Sequence, residues 1–200
     1  MLSDQDIFNR YQQKQAEFAK LAEVSLIGHS LFDMWCDQAG GTPMLAGKTV
    51  ANLGLSGTST RQYLDVIVKP QRITHLGKQV FVFFGVNDIV KEPNYSPKQV
   101  MDWLDEIHQA LYKLSPNSTY YLLEATPVNN ISTVDNPEII HLNQYIKQNC
   151  LPQWKFIETR PHFMMPSGKL NVEYCVDGLH FNAKGYQILE KILTKILEQS

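Results

Sequence analysis

Three short apolar runs, each stopping at a glycine, limit what this chain can fold into more than any other feature. Val24-Ser25-Leu26-Ile27 runs into Gly28, the stretch from Lys48 to Leu53 into Gly54, and Gln79-Val80-Phe81-Val82-Phe83-Phe84 into Gly85. Runs this short and this apolar read as strands covered on both faces, which is the habit of a parallel sheet. Helical patterns separate them. Thr58 or Ser59 caps a helix through about Val68 that Pro70 ends, with Tyr63, Leu64, Ile67 and Val68 on its apolar side. Ser96-Pro97 supplies a cap with proline in the first helical position, and Val100, Leu104, Ile107, Leu111 and Leu114 then repeat on one face. Thr119 to Leu123 reads as a fourth strand, Asn136-Pro137 opens a helix carrying Ile139, Ile140, Leu142 and Ile146, Lys155 to Ile157 is a short fifth strand, and Asn182 to about Leu197 is the last helix. Ahead of them all, Ile7, Phe8, Tyr11, Phe18 and Leu21 mark an amphipathic opening helix from Asp4 to Leu21, whose apolar face packs either on the sheet or on a second subunit.

Alternating strands and helices predict an α/β chain: a three-layer α/β/α sandwich around a central parallel sheet of about five strands, a single domain over residues 1–200. Two segments stay irregular, Ala125 to Asp135 and Thr159 to Leu179. Eighteen Lys+Arg against 20 Asp+Glu leave a formal net charge of -2, so there is no basic field and no nucleic-acid partner is expected. No run of about 18 apolar residues is present, so no membrane span is expected. The opening MLSDQDIFNRYQQKQ is polar and mixed in charge, unlike a signal peptide, which makes the cytoplasm the expected location. Cys36, Cys150 and Cys175 are odd in number and lack CxxC spacing, so they read as reduced thiols outside the chemistry, with no thiolate metal site.

In an open parallel sheet the ligand lies beyond the carboxyl ends of the strands. Gly28-His29-Ser30-Leu31 follows the first strand, Asn52 through Thr58 the end of the second, and Gly85-Val86-Asn87-Asp88 the third, while Asp177-Gly178-Leu179-His180 precedes the last helix. Acyl transfer suits these groups. A serine hydroxyl needs an imidazole to take its proton, and the imidazole needs a carboxylate to hold its tautomer. Ser30 is the candidate nucleophile, and Asp177 and His180, three residues apart on a loop, are the candidate partners. Backbone N–H groups at Ser30 and Gly57 and the side-chain amide of Asn87 are candidate donors to the oxyanion of a tetrahedral intermediate.

These four blocks, in this order and spanning Gly28 to Tyr186, resemble the SGNH hydrolases, also called the GDSL esterase/lipase family. The resemblance implies a flavodoxin-like SGNH fold with Ser30 as nucleophile, Gly57 and Asn87 in the oxyanion hole, and Asp177 and His180 completing a triad. One residue departs from the pattern: His29 stands where the first block usually has aspartate. Adjacent side chains diverge, so His29 is a poor base for Ser30 and reads as a structural or pocket-edge group. The G-x-S-x-G elbow of α/β-hydrolases is absent, because position 32 is Phe32.

The expectation is therefore a cofactor-free serine esterase that cleaves a small-molecule carboxylic ester through an acyl-enzyme. Its rivals are a non-catalytic small-molecule-binding relative on the same fold and an O-acetylesterase acting on carbohydrate esters. Leu31, Val86, Met164, Met165 and Leu179 are the candidate substrate-binding residues. Arg61 and Arg160 read as solvated, and His75, His108, His141 and His162 are too dispersed to hold a metal. With little chain left over for a lid, the site should be open, which favours small or partly exposed esters.

Overall fold

The computed structural model describes residues 2–200. Five strands, β1 (Val24–Gly28), β2 (Val50–Gly54), β3 (Gln79–Phe83), β4 (Thr119–Leu123) and β5 (Trp154–Ile157), form one sheet in the order β2-β1-β3-β4-β5. Every pairing is parallel, with Gly28 opposite Gly54 on one side and Phe83 on the other. The helices are α1 (Asp4–Gln13), α2 (Gln15–Phe18), α3 (Ser30–Asp33), α4 (Thr60–Tyr63), α5 (Val86–Lys91), α6 (Pro97–Leu114), α7 (Asn136–Asn149), α8 (Arg160–Phe163) and α9 (Ala183–Glu198).

Alternation along the strands divides the core into two layers. Ile27, Val80, Val82, Tyr120 and Leu122 point to one face, where Ile7 of α1, Val100, Leu104 and Ile107 of α6, and Leu142 and Ile146 of α7 cover them. Leu26, Phe81, Phe83, Tyr121 and Leu123 point to the other, under Leu31 of α3 and Leu189, Leu193 and Leu197 of α9. This is the three-layer α/β/α arrangement. Ile7 is fully buried, so the apolar face of the opening helix packs on the sheet layer.

That opening helix is shorter than its periodicity predicts. It stops at Gln13, because Lys14 leaves helical geometry and sends its side chain inward, and Leu21 lies outside any helix, 75% exposed. The helix expected from Ser59 to Val68 is one α turn followed by a π-helical turn over Leu64–Val68. Helix α6 keeps its expected cap at Ser96, and α9 begins one residue after Asn182, which caps it.

The sheet positions the site. β1 has β2 on one side and β3 on the other, so the chain order reverses around it, and the crevice beyond its carboxyl end is where ligands sit in such sheets. Gly28 closes β1 because the strands converge there: a β-carbon on it would stand 2.5 Å from the Phe83 carbonyl oxygen.

Candidate active site at the β1 end of the sheet

Ser30 is the first residue of α3, and its start is capped from the preceding position. His29 takes an extended backbone, and its Nδ1 accepts the Leu31 N–H at 3.3 Å. A ring that accepts at Nδ1 is the neutral tautomer with its proton on Nε2. Burial, with the nearby His180 second, pushes the His29 pKa down to about 3, and its Nε2 has no hydrogen-bond partner among the described residues. His29 is therefore a buried, uncharged cap.

The structure brings Ser30, His180 and Asp177 together. His180 Nε2 lies 3.0 Å from Ser30 Oγ, and His180 Nδ1 lies 2.7 Å from Asp177 Oδ2. The other Asp177 oxygen accepts the backbone N–H groups of Leu179 at 2.9 Å and His180 at 2.7 Å. Burial alone would raise the Asp177 pKa, but the hydrogen bonds from His180 and these amides outweigh it and hold the carboxyl below its usual range. An ionised Asp177 draws the ring proton to Nδ1, which leaves the Nε2 lone pair facing the serine. The loop itself is braced: Val176 N–H donates to the His180 carbonyl at 2.9 Å, and Asn129 N–H donates to the Gly178 carbonyl at 2.8 Å. Gly178 has φ +88°, and a β-carbon there would strike the Asn129 carbonyl.

The N–H groups of Ser30 and Gly57 have no acceptor among the described residues. The Asn87 amide donates one hydrogen to the Thr58 carbonyl at 3.0 Å, and its second hydrogen has no acceptor among the described residues. The loop holding Gly57 is fastened by buried acids. Asp33, fully buried at the end of α3, accepts Ser56 N–H at 2.8 Å and Ser56 Oγ–H at 2.6 Å. It also takes two hydrogen bonds from Arg10, at 2.9 and 2.8 Å, and one from Lys14 at 2.9 Å. Burial opposes its charge, but Arg10, Lys14 and Ser56 prevail and bring its pKa down to about 2. Farther along the loop, Asp88 accepts Thr60 N–H at 2.8 Å and Thr60 Oγ1–H at 2.9 Å, and burial raises its pKa to about 7. Glu92 accepts from Ser59 Oγ and, at 2.8 Å, from Arg61 Nε.

The expected substrate-binding residues fare differently. Leu31 is fully buried and Val86 is 3% exposed, and both pack into hydrophobic clusters. Both side chains turn into the core, away from the surface that Ser30 faces. Leu179 is half-buried against the cluster of Val86, Ala125, Val128, Val134 and Ile139. Met164 and Met165 are half-buried in a tight turn closed by a bridge between Met164 and Leu170, and no hydrogen bond ties them to Ser30. Arg61 is not simply solvated: Asp4, Asp65 and Glu92 surround it. His108 is a core residue stacked on Tyr112 and packed against Trp154, whereas His75, His141 and His162 are exposed. No cluster of three or more metal-ligating side chains occurs among the described residues, and no described helix is long and apolar enough to cross a membrane. Sequence reasoning missed Arg10, Lys14, Asp33 and Glu92, whose roles depend on partners 19 to 33 positions away.

Comparison with known proteins agrees with this architecture. The model of the GDSL-like Lipase/Acylhydrolase family matches residues 10–188. A GDSL-like lipase from Bacteroides thetaiotaomicron superposes with a TM-score of 0.72 at 20% identity, over 96% of this chain and 98% of that one. The lipase/acylhydrolase of Enterococcus faecalis does so with a TM-score of 0.66 at 18% identity, over 90% and 96% of the two chains. Among curated proteins, an N-acylneuraminate cytidylyltransferase of Escherichia coli O18:K1:H7 is 36% identical over 195 residues, 97% of this chain. The chain spans only 45% of that relative's length.

Proposed function

The chain belongs to the GDSL-like lipase/acylhydrolase family, and from that premise we propose that it is a serine esterase that cleaves carboxylic esters through an acyl-enzyme. The observation that carries the proposal is the contact chain from Ser30 Oγ to His180 Nε2 at 3.0 Å and from His180 Nδ1 to Asp177 at 2.7 Å, beside three unpaired donors. Ser30 Oγ attacks the ester carbonyl carbon while its proton passes to His180 Nε2. The carbonyl oxygen becomes an oxyanion, received by the N–H groups of Ser30 and Gly57 and the free hydrogen of the Asn87 amide. His180, held as imidazolium by Asp177, returns the proton to the departing alkoxide, which leaves as the alcohol. Water then attacks the acyl-enzyme, gives its proton to His180, and Ser30 leaves with that proton as the free acid departs. His29 does not compete with His180 for the proton, because burial makes its ring a far weaker base and its Nδ1 already accepts the Leu31 N–H.

A second reading concerns the substrate and is favoured by the curated relative. Nearly all of this chain aligns to under half of a protein named for acting on an N-acylneuraminate. An O-acyl ester carried on a sugar acid of that kind fits both that name and the acyl-transfer residues assembled here. The cytidylyl transfer in the name is a statement about the longer protein.

Fluorophosphonate labelling tests the main reading. Ser30 should be modified and Ser30→Ala should not, with loss of turnover of short p-nitrophenyl esters in the variant. A folded wild-type protein that resists labelling and hydrolyses no such ester would leave the ligand-binding relative as the better description. Release of acetate from O-acetylated sialic acids, against simple alkyl acetates, tests the substrate reading. Equal rates on both would remove it.

A further inference from the structure

Gly57 has φ +72°, in the region open to glycine at little cost. That freedom works against an oxyanion donor, because a peptide that turns easily does not keep its N–H aimed. The loop is held upstream by Asp33 on Ser56 and downstream by Asn87 on the Thr58 carbonyl. Between those two anchors the Gly57 carbonyl receives a single hydrogen bond, from the Lys91 ammonium at the end of α5. The same ammonium donates to Gln62 Oε1 at 2.6 Å. Gln62 in turn donates to the Leu2 carbonyl at 3.1 Å and to Asp4 at 2.9 Å. Leu2 lies on the side of Gly57 where a β-carbon would project, so the N-terminal segment closes over the same residue.

We propose that Lys91 is a positioning residue of the oxyanion loop: by holding the Gly57 carbonyl it fixes the peptide that follows Gly57, and so removes rotation about the residue whose N–H, on the preceding peptide, receives the developing oxyanion. The proposal rests on the esterase reading of Gly57. Lys91 touches no reacting atom, so its effect runs through the loop, and it should appear in the transition state more than in ground-state binding. An ammonium also donates more strongly than a neutral amine, so the hold weakens when Lys91 loses its proton. The charged groups around it are Asp4 and Asp6 of α1, Arg61 of α4, Asp88 of α5 and Glu92 just after it. Burial, partly opposed by Glu92, lowers the Lys91 pKa below 10.5.

The test compares wild type with Lys91→Met and Lys91→Gln on p-nitrophenyl acetate, with the spontaneous rate subtracted. Removing an oxyanion donor outright costs about 10²–10³ in turnover. A donor left in place but loosely held should cost less, about 10- to 100-fold in kcat, with KM within about twofold. The kcat of wild type should fall at alkaline pH as Lys91 deprotonates, and that fall should be missing from Lys91→Met. Lys91→Gln, which keeps a donor without the charge, should lie between the two. Labelling of wild-type Ser30 separates two failures. If wild type is labelled while both variants keep its kcat and alkaline profile, this inference is overturned and the esterase reading stands. If wild type is not labelled, both fall. Should Lys91→Met fail to fold, the wild-type alkaline profile and Lys91→Gln decide alone, and wild-type kcat without an alkaline fall overturns the proposal.

Discussion

Replacing Asp33 by asparagine removes one negative charge from the most densely hydrogen-bonded buried group in the molecule. The wild-type carboxyl titrates at about 2 in the folded protein against 3.8 when free. At roughly 1.4 kcal/mol per pH unit, its partners favour the charged form by about 2–3 kcal/mol. Asparagine also leaves Lys14, only 6% exposed, as a buried cation whose remaining partner is the Gly54 carbonyl at 2.6 Å. Breaking a buried ion pair from one side typically costs about 3–5 kcal/mol, so Asp33→Asn should destabilise the protein by about 3–4 kcal/mol at pH 7. With a urea dependence of about 2 kcal/mol per molar, the midpoint should fall by roughly 1.5–2 M. Lys14→Met added to Asp33→Asn should recover part of the loss, because the stranded charge is gone. The pH dependence has a definite sign. The folded pKa is depressed, so the unfolded chain takes up the proton first, and the advantage of wild type over Asp33→Asn is full above pH 3.8 and fades as pH falls through about 2. A midpoint change below about 0.5 M at pH 7, or a gap that stays constant down to pH 2, would falsify this account of Asp33.

His29 supplies a second pH test with a similar direction and a different cause. Its ring stays neutral to about pH 3 when folded but takes a proton near 6.5 when unfolded, so stability should decline below pH 6.5 by up to roughly 1.4 kcal/mol per pH unit. His29→Asn keeps a side-chain cap for α3 and should lack that decline, which difference curves of thermal unfolding from pH 7 to pH 4 will show; parallel curves refute it. Gly178→Ala should lower kcat by at least about 100-fold, because the added carbon strikes the Asn129 carbonyl and shifts the loop that presents Asp177. Turnover of Gly178→Ala close to wild type would mean that the loop relaxes without moving Asp177.

The parts of the fold that were readable in the sequence are those set by local pattern. Helix α6 runs from Pro97 to Leu114 because Ser96 caps it, Pro97 suits its first turn and its apolar residues recur at helical spacing. Strand β4 matches its run of Thr119 to Leu123 residue for residue. Local pattern fails where a distant partner decides. Nothing between Asp4 and Leu21 announces that the helix stops at Gln13, because Lys14 turns inward toward a carboxylate 19 residues on. Helices α3 and α5 are too short to show a period, so Asn87 and Asp88, which as a dipeptide favour a turn, stand in a helix instead. The candidate site was legible as four blocks because such chemistry needs particular residue types. Its supports were not, since a buried Asp33 reads in the sequence like any acidic residue after a strand. The burial of Leu31 was hidden for the same reason, as nearness in sequence to Ser30 says nothing about which way a side chain turns.

The charges around Ser30 and the Gly57 loop follow one arrangement. Asp33 is neutralised in place by Arg10 and Lys14. Asp88 is buried with Thr60, and its pKa of about 7 leaves it only partly ionised at neutral pH. His29 is neutral where the first block usually has a carboxylate. Asp177 is thus, among the described residues, the one carboxylate in hydrogen-bond contact with the His180 ring. An imidazolium formed while Ser30 attacks therefore leans on a single anion, one that is half exposed and partly screened by water. Restoring a buried carboxylate with His29→Asp places a second negative charge beside that imidazolium. It should raise the apparent pKa of the acidic limb of kcat/KM, so that activity needs a higher pH. If the limb stays where it is in wild type, His29 serves α3 as a cap and has no electrostatic bearing on His180.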